Sequence, residues 1–257
     1  MEAMILAAGA GTRLRPLTDR IPKALITVRG RPLLAHVLDR LVTAGATRII
    51  INTHHYAEQI GAFVATHTPP GVEIVLSPEP GGPYDTGGGL LAAAPLFRRE
   101  GPFLLHNVDV LSRIPLAGLL AAHRTARDGA AGPLVASLAV QGRDTRRRLL
   151  FDGEGLMGWE NRGSDGTVLA SERVREPVGE LRAWSFTGIH VLEPTVFDSA
   201  ERTGCFSIVA WYLDLARRGY TILPVDVSAD EWIDVGTPER LAEAEARRPG
   251  DDSSTPG

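Results

Sequence analysis

Apolar residues along this chain follow two alternating rhythms. Some runs are short and unbroken, among them Met4-Ile5-Leu6, Ile49-Ile50-Ile51 and Phe103-Leu104-Leu105, as expected of strands covered on both faces. Between them lie longer stretches with apolar positions at three- and four-residue spacing. Leu33, Leu34, Val37, Leu38 and Leu41, for example, share one helical face. The pattern predicts strands over 3–8, 47–52, 72–76, 102–106, 134–139, 186–191 and 221–225. It predicts helices over 33–44, 56–66, 87–95, 115–126, 207–218 and 237–247. Thr237-Pro238-Glu239 opens the last helix with an N-cap, a proline at the first helical position and a first-turn acid. Such alternation implies an α/β fold, a Rossmann-like, mainly parallel twisted sheet with helices on both faces.

The segment 140–185 breaks the rhythm and is rich in Arg, Gly, Asp and Glu. Leu149-Leu150-Phe151, then Asp152-Gly153, then Leu156-Met157 predicts a hairpin there. We read it as a small β-rich lobe inserted into a single domain spanning 1–248. Residues 249–257 are too polar to bury a core and are expected to form a disordered tail. No internal repeat is visible, and no hexapeptide β-helix pattern follows residue 240.

Composition narrows the function only by exclusion. The chain has 257 residues, 44% hydrophobic and 23% charged, which is ordinary for a globular protein. A net charge of -4 argues against a nucleic-acid surface. No apolar run approaches the ~20 residues of a membrane span, and no basic stretch precedes a signal core. A cytoplasmic location is the expectation. Cys205 is the one cysteine, so neither a disulfide nor a cysteine-rich metal site is expected.

Chemistry concentrates after the first strand. Gly9 and Gly11 let backbone amides approach an anion, and Arg13, Arg15 and Lys23 add positive charge close by. A dinucleotide-binding fingerprint needs a third glycine where Leu14 stands. A Walker A loop needs Gly-Lys-Ser/Thr, which does not occur. A polyphosphate suits what remains. Asp109, in Asn107-Val108-Asp109, directly follows an apolar run, and Asp234 follows Trp232-Ile233. In an open parallel sheet the carboxyl ends of strands carry the ligands. Two such carboxylates could converge on one Mg²⁺. Asp85-Thr86-Gly87-Gly88-Gly89 opens a helix, where a base, a ribose or an anion can approach the backbone.

The order Gly9-x-Gly11-Thr12-Arg13-Leu14-x-Pro16-x-Thr18, followed by Pro22-Lys23, resembles the signature of the sugar-1-phosphate nucleotidylyltransferases. Asn107-Val108-Asp109 resembles that family's Asn-Gly-Asp, with valine for the glycine. Asp234-Val235-Gly236-Thr237 resembles its closing motif. Asp85-Thr86-Gly87-Gly88-Gly89 is similar to the Glu-Thr-Gly-Gly-Gly of the branch that handles muramic acid and heptose phosphates. The resemblance implies a GT-A-like nucleotidyltransferase fold and an enzyme joining a nucleoside triphosphate to a sugar 1-phosphate. It implies that Ala8, Gly9, Gly11 and Thr12 hold phosphates. Arg13 would stabilise the leaving pyrophosphate, Lys23 would hold the α-phosphate or the incoming phosphate, and Asp109 and Asp234 would hold Mg²⁺. Thr86, Gly87 and Gly88 would line the base and ribose site. Asn107, Glu160 and Gly188 would meet the sugar phosphate. UTP with N-acetylmuramate 1-phosphate is the expected pair.

Several readings stay open. Gly188, in Phe186-Thr187-Gly188-Ile189, either packs a sugar ring against backbone or marks a bulge in a core strand. Relatives carry a Glu-Lys-Pro whose lysine meets the sugar phosphate, and Glu160-Asn161-Arg162 stands there instead. Arg143, Arg146 and Arg162 either face solvent or meet a carboxylate on the sugar. GTP with heptose- or mannose-1-phosphate, or CTP with phosphocholine, is the alternative chemistry. A non-catalytic nucleotide-binding or regulatory subunit is the alternative of another class.

Overall fold

The computed structural model describes residues 1–130 and 132–247, so the expected tail lies outside the described residues. In chain order the strands and helices begin with β1 (Glu2–Leu6), β2 (Thr27–Val28), β3 (Arg31–Pro32) and α1 (Leu33–Thr43). Then come β4 (Arg48–Thr53), α2 (Ala57–His67), β5 (Glu73–Pro78), α3 (Asp85–Ala93), β6 (Phe103–Asn107), β7 (Val110–Ser112) and α4 (Leu116–Arg127). The second half holds β8 (Leu134–Gln141), β9 (Arg147–Asp152), β10 (Gly155–Arg162), β11 (Val168–Arg173) and β12 (Arg182–Leu192). It closes with α5 (Ile208–Arg217), β13 (Thr221–Asp226), β14 (Trp232–Asp234) and α6 (Pro238–Ala246). No helix among the described residues is long and apolar enough to cross a membrane.

The sheet runs β5-β4-β1-β6-β12, and the first four strands are mutually parallel. β12 is antiparallel to β6 and β8, and β13 is parallel to β8. This is the mainly parallel, doubly covered sheet the apolar runs dictated. Side-chain alternation explains why both faces are apolar. Ala3, Ile5, Ile49, Ile51 and Leu104 join a core with Leu34 and Leu38 of α1 and Leu119 of α4. Met4, Ile50 and Leu105 join the opposite core with Leu90 of α3 and Trp211 of α5. A third cluster joins Leu14 and Ile26 to Ile233 and Val235 around β14 and to Ala244 of α6. It ties the segment after the glycine turn to the strand that carries Asp234.

β9, β10 and β11 form an antiparallel meander attached to the sheet through Arg182–Trp184 of β12. The expected hairpin is its β9–β10 turn, closed by Asp152 opposite Gly155. Asp152 anchors the turn. Its buried carboxylate accepts two 2.6 Å bonds from Arg175 and bonds from the amides of Val178 and Glu154. Burial pushes this acid up, but the Arg175 pairing and both amides outweigh that and hold it at about 2. A depressed folded-state value contributes stability that is present above the ordinary aspartate range and is lost as pH falls towards 2. Asp152→Ala is therefore expected to lose about 3 kcal/mol, because it strands a charge and two donors. Urea unfolding at neutral pH checks this, and a loss below about 1 kcal/mol would mark the pair as an ordinary surface bridge.

Candidate active site

The chain leaves β1 and turns through Ala8–Thr12 across the carboxyl ends of β1 and β6. At Gly11 the backbone is left-handed, with φ of 63°. A Cβ there would stand 2.8 Å from a methyl of Thr18 and 3.1 Å from Cβ of Lys23, so both the conformation and the space call for glycine. The Thr18 hydroxyl donates to the Gly11 carbonyl at 3.0 Å and fixes the turn. Gly9, Thr12 and Arg13 stay exposed. They rim a cavity of about 310 Å³ whose walls also include Ala8, Lys23, Asn107 and Asp109. This is where an open parallel sheet places its ligand.

Three charged side chains converge here from distant parts of the chain. Lys23 is buried and its Nζ donates to Asp109 Oδ2. Asp109 lies between β6 and β7, and β14 pairs with β7, so Asp234 faces Val110. The Val235 amide donates to the Asp109 carbonyl at 2.8 Å and locks the two motifs together. Asp234 Oδ1 is buried without a hydrogen-bond partner. Burial raises the Asp234 carboxyl and the Asp109 charge raises it further, while Lys23, Arg13 and Arg240 pull the other way. Gly236 brings Arg13 in: a Cβ there would stand 2.6 Å from both its guanidinium and Asp234 Oδ1.

An orphaned carboxylate oxygen beside a second carboxylate is short of positive charge. A hard divalent cation fits that deficit, since Mg²⁺ commonly takes one or two carboxylates and completes its shell with water and phosphate. Among the described residues no group of three or more His, Cys, Asp and Glu side chains could hold a metal on protein ligands alone. The pair therefore suits a cation that arrives with its phosphates. Val108, which replaces the family glycine, packs in the core with Ala7 and Val110 and has no positive φ. The backbone thus tolerates a side chain at that position and still presents Asp109.

The sequence reading missed a polar brace behind the glycine turn. Asn52, near the carboxyl end of β4, accepts from the Ala7 amide at 2.6 Å and donates to Glu79 at 2.6 Å. Glu79, just past β5, is buried and also accepts from the Tyr84 amide at 2.7 Å. Both line the cavity. The available signal was position alone: lone polar residues at carboxyl ends of parallel strands.

Four of the expected site residues, Gly87, Gly88, Glu160 and Gly188, do not line this cavity. Gly87 and Gly88 are buried and do not line the cavity, although Thr86 does. Their amides donate to the Phe206 carbonyl at 3.0 and 3.1 Å, and Thr86 Oγ1 accepts from the Ile208 amide at 2.9 Å. The glycines serve the close approach of α3 to the start of α5. A Cβ at Gly88 would collide with the Gly204 carbonyl. Gly88→Ala is therefore expected to cost about 1–3 kcal/mol of stability by overpacking, with little change in nucleotide KM. Thermal melts and initial rates check this, and a KM raised tenfold with an unaltered melt would return Gly88 to the nucleotide site. Glu160 is not among the residues lining this cavity. It is held by Arg148 at 2.7 Å and Arg162 at 2.8 Å. Burial raises its carboxyl, but these two guanidinium groups hold it below the usual range. Gly188 is the bulge: the β12–β8 register shifts between Phe186 and His190, and φ is 81°. It abuts the Asn107 side chain, with 2.6 Å left for a Cβ, so it acts on the cavity through Asn107.

A fold of this topology, with a glycine turn, a buried lysine and two neighbouring carboxylates at strand ends, has the chemistry of a phosphate-handling site. The comparisons with known proteins carry the assignment further. The family model described as Nucleotidyl transferase matches residues 2–148. The N-acetylmuramate alpha-1-phosphate uridylyltransferase of Neisseria meningitidis is 35% identical over 246 residues, covering 96% of this chain and 97% of that protein. The enzyme of the same name from Caulobacter vibrioides is 33% identical over 250 residues, covering 95% and 96%. A mannose-1-phosphate guanyltransferase of Pichia angusta is 32% identical and covers 93% of this chain but 62% of its own length. Among solved structures, a UDP-glucose pyrophosphorylase from Acinetobacter baumanii superposes with a TM-score of 0.73 at 18% identity, covering 95% and 91%. This chain belongs to the nucleotidyl transferase family. Its activity is that of a sugar-1-phosphate nucleotidylyltransferase.

Proposed function

We propose that this protein transfers the uridylyl group of UTP to N-acetylmuramate 1-phosphate, forming UDP-N-acetylmuramate and pyrophosphate in the cytoplasm. The meeting of Lys23, Asp109, Asp234 and Arg13 beside the glycine turn carries this reading. The substrate pair follows the names of the two relatives that match over nearly their whole length.

The acceptor phosphate is ionised at neutral pH, so its oxygen needs no strong general base. That oxygen forms a bond to the α-phosphorus as the bond to the leaving oxygen breaks, and the electron pair departs with pyrophosphate. The protein's task is then positioning and charge neutralisation. In our reading, backbone groups of Ala8, Gly9, Gly11 and Thr12 hold the triphosphate, and Arg13 faces the leaving pyrophosphate. Lys23 neutralises Asp109 in the free protein and turns to the α-phosphate once Asp109 serves a cation. Asn107 orients the acceptor. Mg²⁺ held by Asp109 and Asp234 would supply Lewis-acid stabilisation of the charge that builds on the phosphoryl oxygens.

Pyrophosphate release, with UTP, GTP, CTP and dTTP each offered against N-acetylmuramate and mannose 1-phosphates, tests the reading. UTP with the muramate ester is expected to give the highest kcat/KM. The guanyltransferase relatives make GTP with mannose 1-phosphate the competing pair. A tenfold advantage for it, about 1.4 kcal/mol in transition-state binding, would reassign the substrates. No release with any pair would favour a non-catalytic subunit.

A further inference from the structure

A second cavity, of about 360 Å³, adjoins the first, and Arg13 and Gly236 line both. Its other walls come from the lobe side, with Thr145 and Arg147, from β12 and β14, and from Arg240 of α6. Four arginines therefore face a cavity whose one acidic wall residue is Asp234. Arg240 is spent on Glu243 at 2.7 Å. Arg143 is different. Its guanidinium lies 3.7 Å from the ring centre of Trp232. The Trp232 indole N–H donates to the Thr187 carbonyl at 2.8 Å, which fixes the ring. The Ser185 hydroxyl donates to the Arg143 carbonyl at 2.9 Å, which fixes the backbone. Arg143 Nε is buried with no hydrogen-bond partner.

A half-buried guanidinium whose Nε lacks a partner is incompletely satisfied, and stacking leaves the in-plane donors of its fork free. Such a group is built for a planar anion that comes and goes. On the transferase reading the reacting phosphates lie at the other cavity, with the glycine turn, Lys23 and Asp109. Arg13 stands between the two cavities, where an acceptor phosphate must cross. On the same reading, the cavity beyond it, lined by Arg143, is left for the body of the acceptor sugar.

We propose that Arg143, stacked on Trp232 and seconded by Arg147, reads a carboxylate on the acceptor, so that the enzyme selects acidic sugar 1-phosphates over neutral ones. This rests on the transferase reading above. It also revises which arginines do so. Arg162 is committed to Glu160, and Arg146 lies outside the cavity, which Arg147 lines instead. A planar fork on a carboxylate gives two parallel hydrogen bonds, which an ammonium cannot reproduce.

The test compares kcat/KM for N-acetylmuramate 1-phosphate and N-acetylglucosamine 1-phosphate, which differ by the carboxylate-bearing ether. Wild type, Arg143→Met, Arg143→Lys and Arg147→Met are assayed, and melting temperatures confirm that each is folded. The wild type is expected to prefer the acidic acceptor, and Arg143→Met should shrink that preference tenfold or more. Arg143→Lys should recover only part of it, and Arg147→Met should shrink it less. Equal losses on both acceptors would overturn the proposal and make Arg143 a phosphate-binding or structural residue. A wild type that turns over both acceptors without preference would also overturn it. Failure of the transferase reading looks different: no pyrophosphate from either acceptor, in any variant.

Discussion

Replacing Asp234 with asparagine is expected to lower turnover ~10²-fold or more and, in the absence of divalent cation, to raise the melting temperature. The two effects share one cause. Asp234 sits beside Asp109 with a buried, unpartnered oxygen, and its carboxyl is raised by burial and by that neighbour. Removing a transition-state electrostatic partner costs about two to three powers of ten. Removing an ill-solvated charge relieves the fold. The sign follows from linkage: a carboxyl whose folded value is raised gives stability that is full below the unfolded pKa and lost as pH rises through the folded one. The wild type should therefore gain on the asparagine variant as the solution is acidified. Activity should run the opposite way, because the ionised form holds the cation, so kcat/KM should fall on an acid limb above the ordinary carboxylate range. Saturating Mg²⁺ should move that limb down. Asp109→Asn should lose turnover as severely but lower the melting temperature, since it strands the buried Lys23 ammonium. Normal turnover of Asp234→Asn at saturating Mg²⁺ would remove the residue from the cation site.

Lys23→Met is the second large effect expected. Lys23 lies in the same cavity as the glycine turn and is paired with Asp109. Without it, Asp109 loses its cationic partner, and its charge and that of Asp234 act on each other with less compensation. The expected result is a ~10²–10³-fold lower kcat/KM and a fold that Mg²⁺ stabilises more than it stabilises wild type. The second readout matters because a purely structural lysine would not link stability to Mg²⁺. Calorimetric melts with and without the cation, alongside initial rates, decide the matter. An unaltered kcat/KM with a lowered, Mg²⁺-insensitive melting temperature would make Lys23 a structural residue.

The sheet was legible because each central strand is covered on both faces and so reads as an unbroken apolar run. The predicted limits of β1, β4, β5 and β6 fall within a residue or two of those observed. β12 begins earlier than its apolar run because its first half, with exposed Arg182 and half-buried Ala183, leaves the core to pair with the lobe. The ribbon of β7 and β14 could not be read, since three residues carry no periodicity. Yet this ribbon brings Asp109 and Asp234 together. The aspartates were found by their place after apolar residues and by family likeness, and the structure supplies their meeting. The packing role of Gly87 and Gly88 was not legible because a glycine run looks alike whether it admits a ligand or a neighbouring helix. Their neighbour, Phe206, lies far along the chain. The partners of Glu160 were hidden for a similar reason: sequence position suggested a substrate contact, while the structure pairs its Oε1 with Arg148 and Arg162. Asn52 and Glu79 were silent because a polar residue at a strand end has no pattern around it.

The central claim is that the site formed by Lys23, Asp109 and Asp234 moves the α-phosphorus of UTP onto a sugar phosphate. Incubating the protein with UTP labelled at the α-phosphorus, N-acetylmuramate 1-phosphate and Mg²⁺ tests this most directly. The account predicts that the label appears in a UDP-sugar in step with unlabelled pyrophosphate, and that Asp234→Asn reduces both ~10²-fold or more. Label that stays in UTP, or that leaves as UMP without entering the sugar nucleotide, would contradict it.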